Sequence, residues 1–253
     1  MAVHSFETMG TMVSIRIADA DLGTRDAIPV LNEVEHSFAQ LNETFSLYRE
    51  DSEASRIASG ELALADSSEL MRDEYARALQ WRDHTGGAFT PHRPDGVIDL
   101  SGTIKAVAID QAAGILTEAG FANFSVNVGG DLTTAGNQAE DIPGWITGIV
   151  EPSDRNTLLA AVRLNDEFPA MATSGSAERG EHIWLRPETT KEFVQASVIA
   201  HDIITADVLA TAIISGGSET LNQITQDFSV AVMTVGLDGA VQANAMFQEL
   251  VAR

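Results

Sequence analysis

Residues 98–136 read IDLSGTIKAVAIDQAAGILTEAGFANFSVNVGGDLTTAG, and the fold is decided here. A short apolar run ends at Asp99 as a strand would, and the chain turns through Ser101 and Gly102. Ile104, Ala108, Ala112, Ile115 and Leu116 then fall on one face at helical spacing. Gly120 stands where a left-handed residue would close that helix. Phe124, Val126 and Val128 alternate as a half-buried strand that breaks at Gly129-Gly130-Asp131. Lys105 is the sole cation of the stretch, one turn into an otherwise apolar helix. A strand, a glycine turn, a helix start and a second glycine turn can hold an anion, because N–H groups at a helix start bind phosphate. Gly-Gly after a strand is also the ordinary form of a turn, and the stretch alone leaves both readings open.

Upstream, residues 6–17 read as two strands separated by Met9-Gly10-Thr11. Residues 25–45 carry Val30, Leu31, Val34, Phe38 and Leu41 at helical spacing, with Glu33, Glu35 and Glu43 outside. Residues 45–49 read as a short strand, Asp51 and Ser52 as caps of a second helix, and residues 67–85 as a third. Downstream, residues 145–150, 158–164, 170–173, 183–185 and 194–200 read as strands. Residues 205–215 read as a helix, 230–235 as a last strand and 242–251 as a closing helix. Helices and strands are partly segregated. The expected class is therefore α+β, with mixed or antiparallel sheets and packed helices, in one domain spanning residues 1–253.

A formal charge of −22 opposes a nucleic-acid surface and binding to anionic membranes. An acidic chain that holds a phosphorylated ligand calls for a divalent cation to offset the repulsion. With no cysteine there is no disulfide, zinc–thiolate site or cysteine nucleophile. No basic, apolar leader and no membrane-spanning run is visible, so a cytoplasmic location is expected.

Asp207 and Thr211 are four residues apart at a helix start and share a face. A carboxylate and a hydroxyl so placed, with a backbone carbonyl, suit Mg2+. The other reading makes Thr205 the helix cap and Asp207 a partner of the helix dipole. Thr173-Ser174-Gly175-Ser176 sets three hydroxyls after a strand, which suits phosphate or ribityl contacts or simply makes a polar turn. His182 can be a general base or a packing residue. Tyr48 and Phe89 can stack on a planar ring or pack in the core. Asp110, five residues beyond Lys105, offers it only a loose partner.

Seven segments in order carry a resemblance across nearly the whole chain. They are Met9-Gly10-Thr11; FSLYREDSEASRI with Tyr48; GGAFTP with Ala88, Phe89 and Thr90; IDLSGTIKAVAID; NVGGD at residues 127–131; TSG at 173–175 with Arg179 and His182; and ADVLAT at 206–211. Together they resemble the FAD:protein FMN transferase family, also called the ApbE or thiamine-biosynthesis lipoprotein family. The resemblance implies a T-fold-related architecture and a Mg2+-dependent enzyme that moves FMN from FAD to a Ser or Thr of an acceptor protein, releasing AMP. It also implies an acceptor motif, Asp-x-x-[Ser/Thr]-Gly-Ala-[Ser/Thr]. Met9, Tyr48, Ala88, Phe89, Ser101, Val107 and Ile183 fall where the family contacts FAD. Asp207 and Thr211 fall on its metal ligands, with Ala210 in the same motif and Ile104 giving a main-chain carbonyl. His182 falls on a proposed base. Thr90, Lys105 and Ser174 complete the expected flavin site. Thr90 stands where the family usually has Asp, Ala106 where it has Gly, and Val107 where it has an aromatic; the exported lipoprotein leader is not seen. FAD hydrolysis to FMN and AMP, and FAD binding without turnover, are the alternatives.

Overall fold

The computed structural model describes residues 2–18, 27–175, 184–185 and 189–252. Ten strands are described: β1 (Ala2–Thr8), β2 (Thr11–Ile17), β3 (Phe124–Val128), β4 (Asp131–Ala135), β5 (Trp145–Val150), β6 (Leu158–Leu164), β7 (Ala170–Gly175), β8 (Phe193–Ala200), β9 (Ala231–Gly236) and β10 (Val241–Ala243). Eight form one sheet in the order β1-β2-β3-β4-β7-β8-β9-β10, and β5 pairs with β6 apart from it. Every ladder is antiparallel, so of the mixed or antiparallel sheets expected the antiparallel form is found. The helices are α1 (Ile28–Phe45), α2 (Glu53–Ala58), α3 (Glu69–His84), α4 (Ser101–Glu118), α5 (Ile203–Asp227) and α6 (Ala245–Leu250).

Strand periodicity explains the layers. Val13, Ile15 and Ile17 of β2 and Phe124, Val126 and Val128 of β3 face the main core. They meet Leu31, Val34 and Phe38 of α1 and the apolar face of α4 there. In β7 and β8, Ala170, Ala172, Ala196 and Val198 face that core, while Met171 and Ile199 face a second. The second core lies under the β5–β6 hairpin and α6, where Ile149, Val162, Leu164 and Phe247 cover the sheet's other face. The middle strands are thus buried on both sides, which is why they read as continuous apolar runs.

Several boundaries differ from the sequence expectation. Residues 46–49 form a turn rather than a strand, with Tyr48 N–H donating to Ser46 Oγ. Ile98 makes only an isolated bridge to His92, and Asp99 N–H donates to Pro91 O, so no strand precedes α4. Ser101 and Gly102 belong to the first turn of α4 itself. Gly120, at φ 83, closes that helix as expected, with Phe121 N–H returning to Leu116 O. Trp184 and Leu185 are not in a strand, and Ile183 lies outside the described residues. Helix α5 runs on to Asp227 and α6 starts only at Ala245 after the extra strand β10. No described helix is long and apolar enough to cross a membrane.

Candidate active site

Helix α4 and helix α5 bring the two key stretches together. The carboxylate of Asp99 accepts from Ser101 N–H (2.9 Å), and Leu100 O accepts from Thr103 and Ile104 N–H, which starts α4. The first turn of a helix has N–H groups without intrahelical partners, and Ser101, Gly102 and Lys105 of this turn line a cleft. Gly102 lets the helix start lie close to Phe89: a Cβ there would come 3.2 Å from Phe89 Cε2, and the ring would have to give by a few tenths of an ångström. Phe89 is held by its N–H donating to Thr85 Oγ1 (3.1 Å).

Across the cleft stands α5. Its N-cap is Asp202, which accepts from both the N–H (2.7 Å) and the hydroxyl (2.6 Å) of Thr205. Thr205 is therefore inside the first turn and not the cap, and Asp207 is left to serve the cleft. Asp207, Thr211 and Ser215 follow at intervals of four and all line it. Asp207 is 4% exposed, Thr211 Oγ1 is 3.0 Å from Ser174 Oγ, and Ser215 Oγ donates to Trp184 O (2.8 Å). The cleft is open to solvent, with about 820 Å³ of space between its walls and the solvent at its mouth.

Lys105 does not meet Asp110. Its ammonium pairs with Asp131, the carboxylate of the second glycine turn, which is buried. The other oxygen of Asp131 accepts from Thr173 N–H (2.8 Å), so one carboxylate joins α4, β4 and β7 at the cleft. The pair is neutral overall, which lessens the positive charge Lys105 offers to an anion.

Of the residues singled out in the sequence, the structure brings Ala88, Phe89, Thr90, Ser101, Lys105, Ser174, Asp207 and Thr211 into one lining. It does not bring the side chains of Met9, Tyr48, Ile104, Val107 or Ala210 there. Ile104, Val107 and Ala210 are buried in the main core, on the α4 and α5 turns that border the cleft. Met9 sits at the β1–β2 turn with φ 49, and Tyr48 is 100% exposed. His182, Ile183 and Arg179 lie outside the described residues. Asp99, Trp184 and Ser215 line the cleft without having been singled out; for Ser215 the signal was present, since it continues the four-residue spacing of Asp207 and Thr211.

The oxygen donors fit a hard cation. Among the described residues no three His, Asp or Glu side chains gather, so a metal here would draw on at most two carboxylates, with hydroxyl and carbonyl oxygens beside them.

The ApbE family profile matches residues 9–95 and 90–234. The chain belongs to the ApbE family. Over 159 residues it is 30% identical to the FAD:protein FMN transferase of Klebsiella pneumoniae, covering 58% of this chain and 44% of that one. Over 175 residues it is 29% identical to the Salmonella typhimurium enzyme of the same name, covering 64% and 49%. The chain thus spans about half the length of these curated relatives. The ApbE protein of Thermotoga maritima superposes with a TM-score of 0.82 at 17% identity, over 100% of this chain and 99% of that one, so this ApbE chain shares its fold.

Proposed function

We propose that this ApbE-family chain transfers FMN from FAD to a serine or threonine hydroxyl of an acceptor protein and releases AMP. The observation that carries the reading is the convergence of Asp207 and Thr211 on α5 with Ser101 and Lys105 on α4 and with Phe89, in one cleft. The names of the Klebsiella and Salmonella relatives support it. In this reaction the acceptor oxygen bonds to the flavin-side phosphorus. The bond from that phosphorus to the bridging oxygen breaks, and the bridging oxygen leaves with AMP. The hydroxyl proton goes to a base, for which we assign His182.

Within this reading Asp207 and Thr211 would hold Mg2+, with the carbonyls of Ile104 and Ala210 as the further ligands that the family resemblance implies. When bound, it supplies charge neutralisation for the pyrophosphate. The chain's own part is positional. Ser174 hydrogen-bonds the Thr211 hydroxyl and so fixes its direction. In the first turn of α4, Ser101 N–H donates to Asp99 and Thr103 and Ile104 N–H to Leu100 O, so Gly102 N–H is the donor this turn keeps for a phosphate, and Phe89 gives the cleft an apolar wall. We read residues 1–253 as belonging to one transferase domain and propose a cytoplasmic location.

The test is incubation of the purified protein with FAD and Mg2+, with and without a peptide carrying Asp-x-x-[Ser/Thr]-Gly-Ala-[Ser/Thr]. Covalent flavin on the peptide is the expected result. Free FMN and AMP without peptide would make the protein an FAD pyrophosphatase, and FAD recovered unchanged but bound to the protein in both tubes would make it a flavin-binding protein.

A further inference from the structure

The transfer proposed above requires a polypeptide hydroxyl beside the flavin cleft, and among the described residues the main sheet has an unpaired edge there. Met171 pairs with Leu132 and Ala170 with Thr133, while Thr134 N–H donates to Pro169 O (2.9 Å). Alternation in an antiparallel ladder then turns the N–H and C=O groups of Met171, Thr173 and Gly175 toward β4. Strand β4, however, begins at Asp131, and the chain turns away at Gly129-Gly130. Thr173 N–H is taken by the Asp131 carboxylate. The C=O of Thr173 and both backbone groups of Gly175 look out over the end of β4.

A second cleft, enclosing about 510 Å³, runs along this edge. Its walls include Gly130, Thr173, Gly175 and Gln195 on the sheet side and Gly148 and Val150 of β5 on the other. Gln195 Nε2 donates to Val150 O (3.1 Å) and ties the two walls together. Thr173 and Gly175 line both clefts, so the edge is continuous with the candidate flavin site.

We propose that this edge is the docking site for the acceptor protein, which adds an extended segment to β7 at Thr173–Gly175 and so presents its Ser or Thr hydroxyl to the flavin cleft. The inference rests on the transferase reading. Backbone groups aligned along one strand edge match a peptide backbone, as in other cases of strand addition. No aromatic side chain lines the second cleft, so it offers no stacking platform to a flavin or adenine ring. Three glycines in its walls leave room for a main chain to approach.

The chain has no cysteine, so Val150→Cys, at a position 38% exposed, installs a single thiol in the wall. Its alkylation rate is read with the acceptor-motif peptide and, separately, with FAD and Mg2+. Slowing by the peptide and not by FAD is expected. No slowing by the peptide, or slowing by FAD, overturns the docking site. In parallel, Gly148→Phe sets a ring at the rim of the cleft, on the exposed face of β5; a Cβ there meets only Leu158 Cδ1, at 2.6 Å, the far end of an exposed side chain. The peptide's KM should rise about tenfold or more, with FAD affinity unchanged. An unchanged KM overturns the proposal. Absence of flavin transfer by the wild-type protein defeats the transferase reading, whereas transfer without thiol protection defeats the docking site alone.

Discussion

At the residue scale, a local spacing was enough to find the centre of the site, and distance along the chain hid its supports. Asp207 and Thr211 share a helical face because they are four apart, which needs no tertiary information. Asp131 as the partner of Lys105 was not legible. The two meet only because the β3–β4 hairpin folds back past the start of α4, and helical spacing offered Asp110 instead. Met9 and Tyr48, expected at the flavin from the resemblance, lie outside the cleft lining: Met9, in the β1–β2 turn, packs against the main core, and Tyr48, in the turn between α1 and α2, is exposed. Asp207→Asn keeps the shape of the side chain but removes the charge that suits a divalent cation. Turnover should fall by on the order of 10² or more. Addition of Mg2+ should raise the melting temperature of the wild type and leave that of the variant unmoved; equal shifts in both would refute the ligand assignment. Glu74 supplies an independent test. Burial pushes its carboxyl above the ordinary glutamate value, Arg77 at 2.8 Å only partly offsets this, and the nearby charge of Asp73 adds to it. The folded chain therefore holds this proton to higher pH than the unfolded chain does, and stability falls as pH rises from the ordinary value of 4.5 through the raised one. Glu74→Gln removes that slope. Its melting temperature relative to wild type should increase from pH 4 toward pH 7, as read by calorimetry across the series.

At the scale of elements, regular periodicity was legible and its interruptions were not. Helix α1 was readable because Leu31, Val34, Phe38 and Leu41 all turn to the core. Helix α5 was cut short at Ser215 in the sequence reading because two glycines follow. In the structure the helical path resumes after a kink at Gly217, where φ is 66 and ψ is −155. That conformation is open to glycine and costs an L-residue about 1–3 kcal/mol. Glu192 adds a second constraint, since its carboxylate lies against the position a Cβ would take and accepts from the Ser218 hydroxyl. The neighbouring Gly216 lets α5 approach the loop before α4, where a Cβ would come 3.0 Å from Ala88 Cβ. The kink therefore serves both the core and the edge of the cleft. Gly217→Ala should destabilise the protein by about 2–3 kcal/mol, a fall of about 5–10 °C in melting temperature for a chain of this size. FAD affinity should weaken with it because Ala88 and Phe89 shift. A variant melting within a degree of wild type would show that the kink carries no strain.

At the scale of the whole molecule, the α+β class was legible from the segregation of helices and strands, but the sheet order was not. Nothing local states that β4 neighbours β7 while β5 and β6 stand apart on the other face, and that order is what places Thr173–Gly175 opposite α4. Charge is the global property that composition does fix, and it bears directly on binding of the FAD proposed as substrate. The chain carries −22, with Lys105 of the cleft already paired to Asp131, while the ligand is itself a pyrophosphate anion. On the transferase reading, long-range repulsion slows the encounter, and short-range contacts with a cation held as proposed would make it productive. Salt shortens the reach of that repulsion, from about 30 Å at 0.01 M to about 8 Å at 0.15 M ionic strength. At fixed free Mg2+, the association rate of FAD should therefore rise as sodium chloride is added over this range, the reverse of what a basic nucleotide-binding surface gives. Stopped-flow quenching of flavin fluorescence measures it directly. A rate that fell with salt would mean that FAD sees a locally positive cleft, and the neutrality ascribed to the Lys105–Asp131 pair would be wrong.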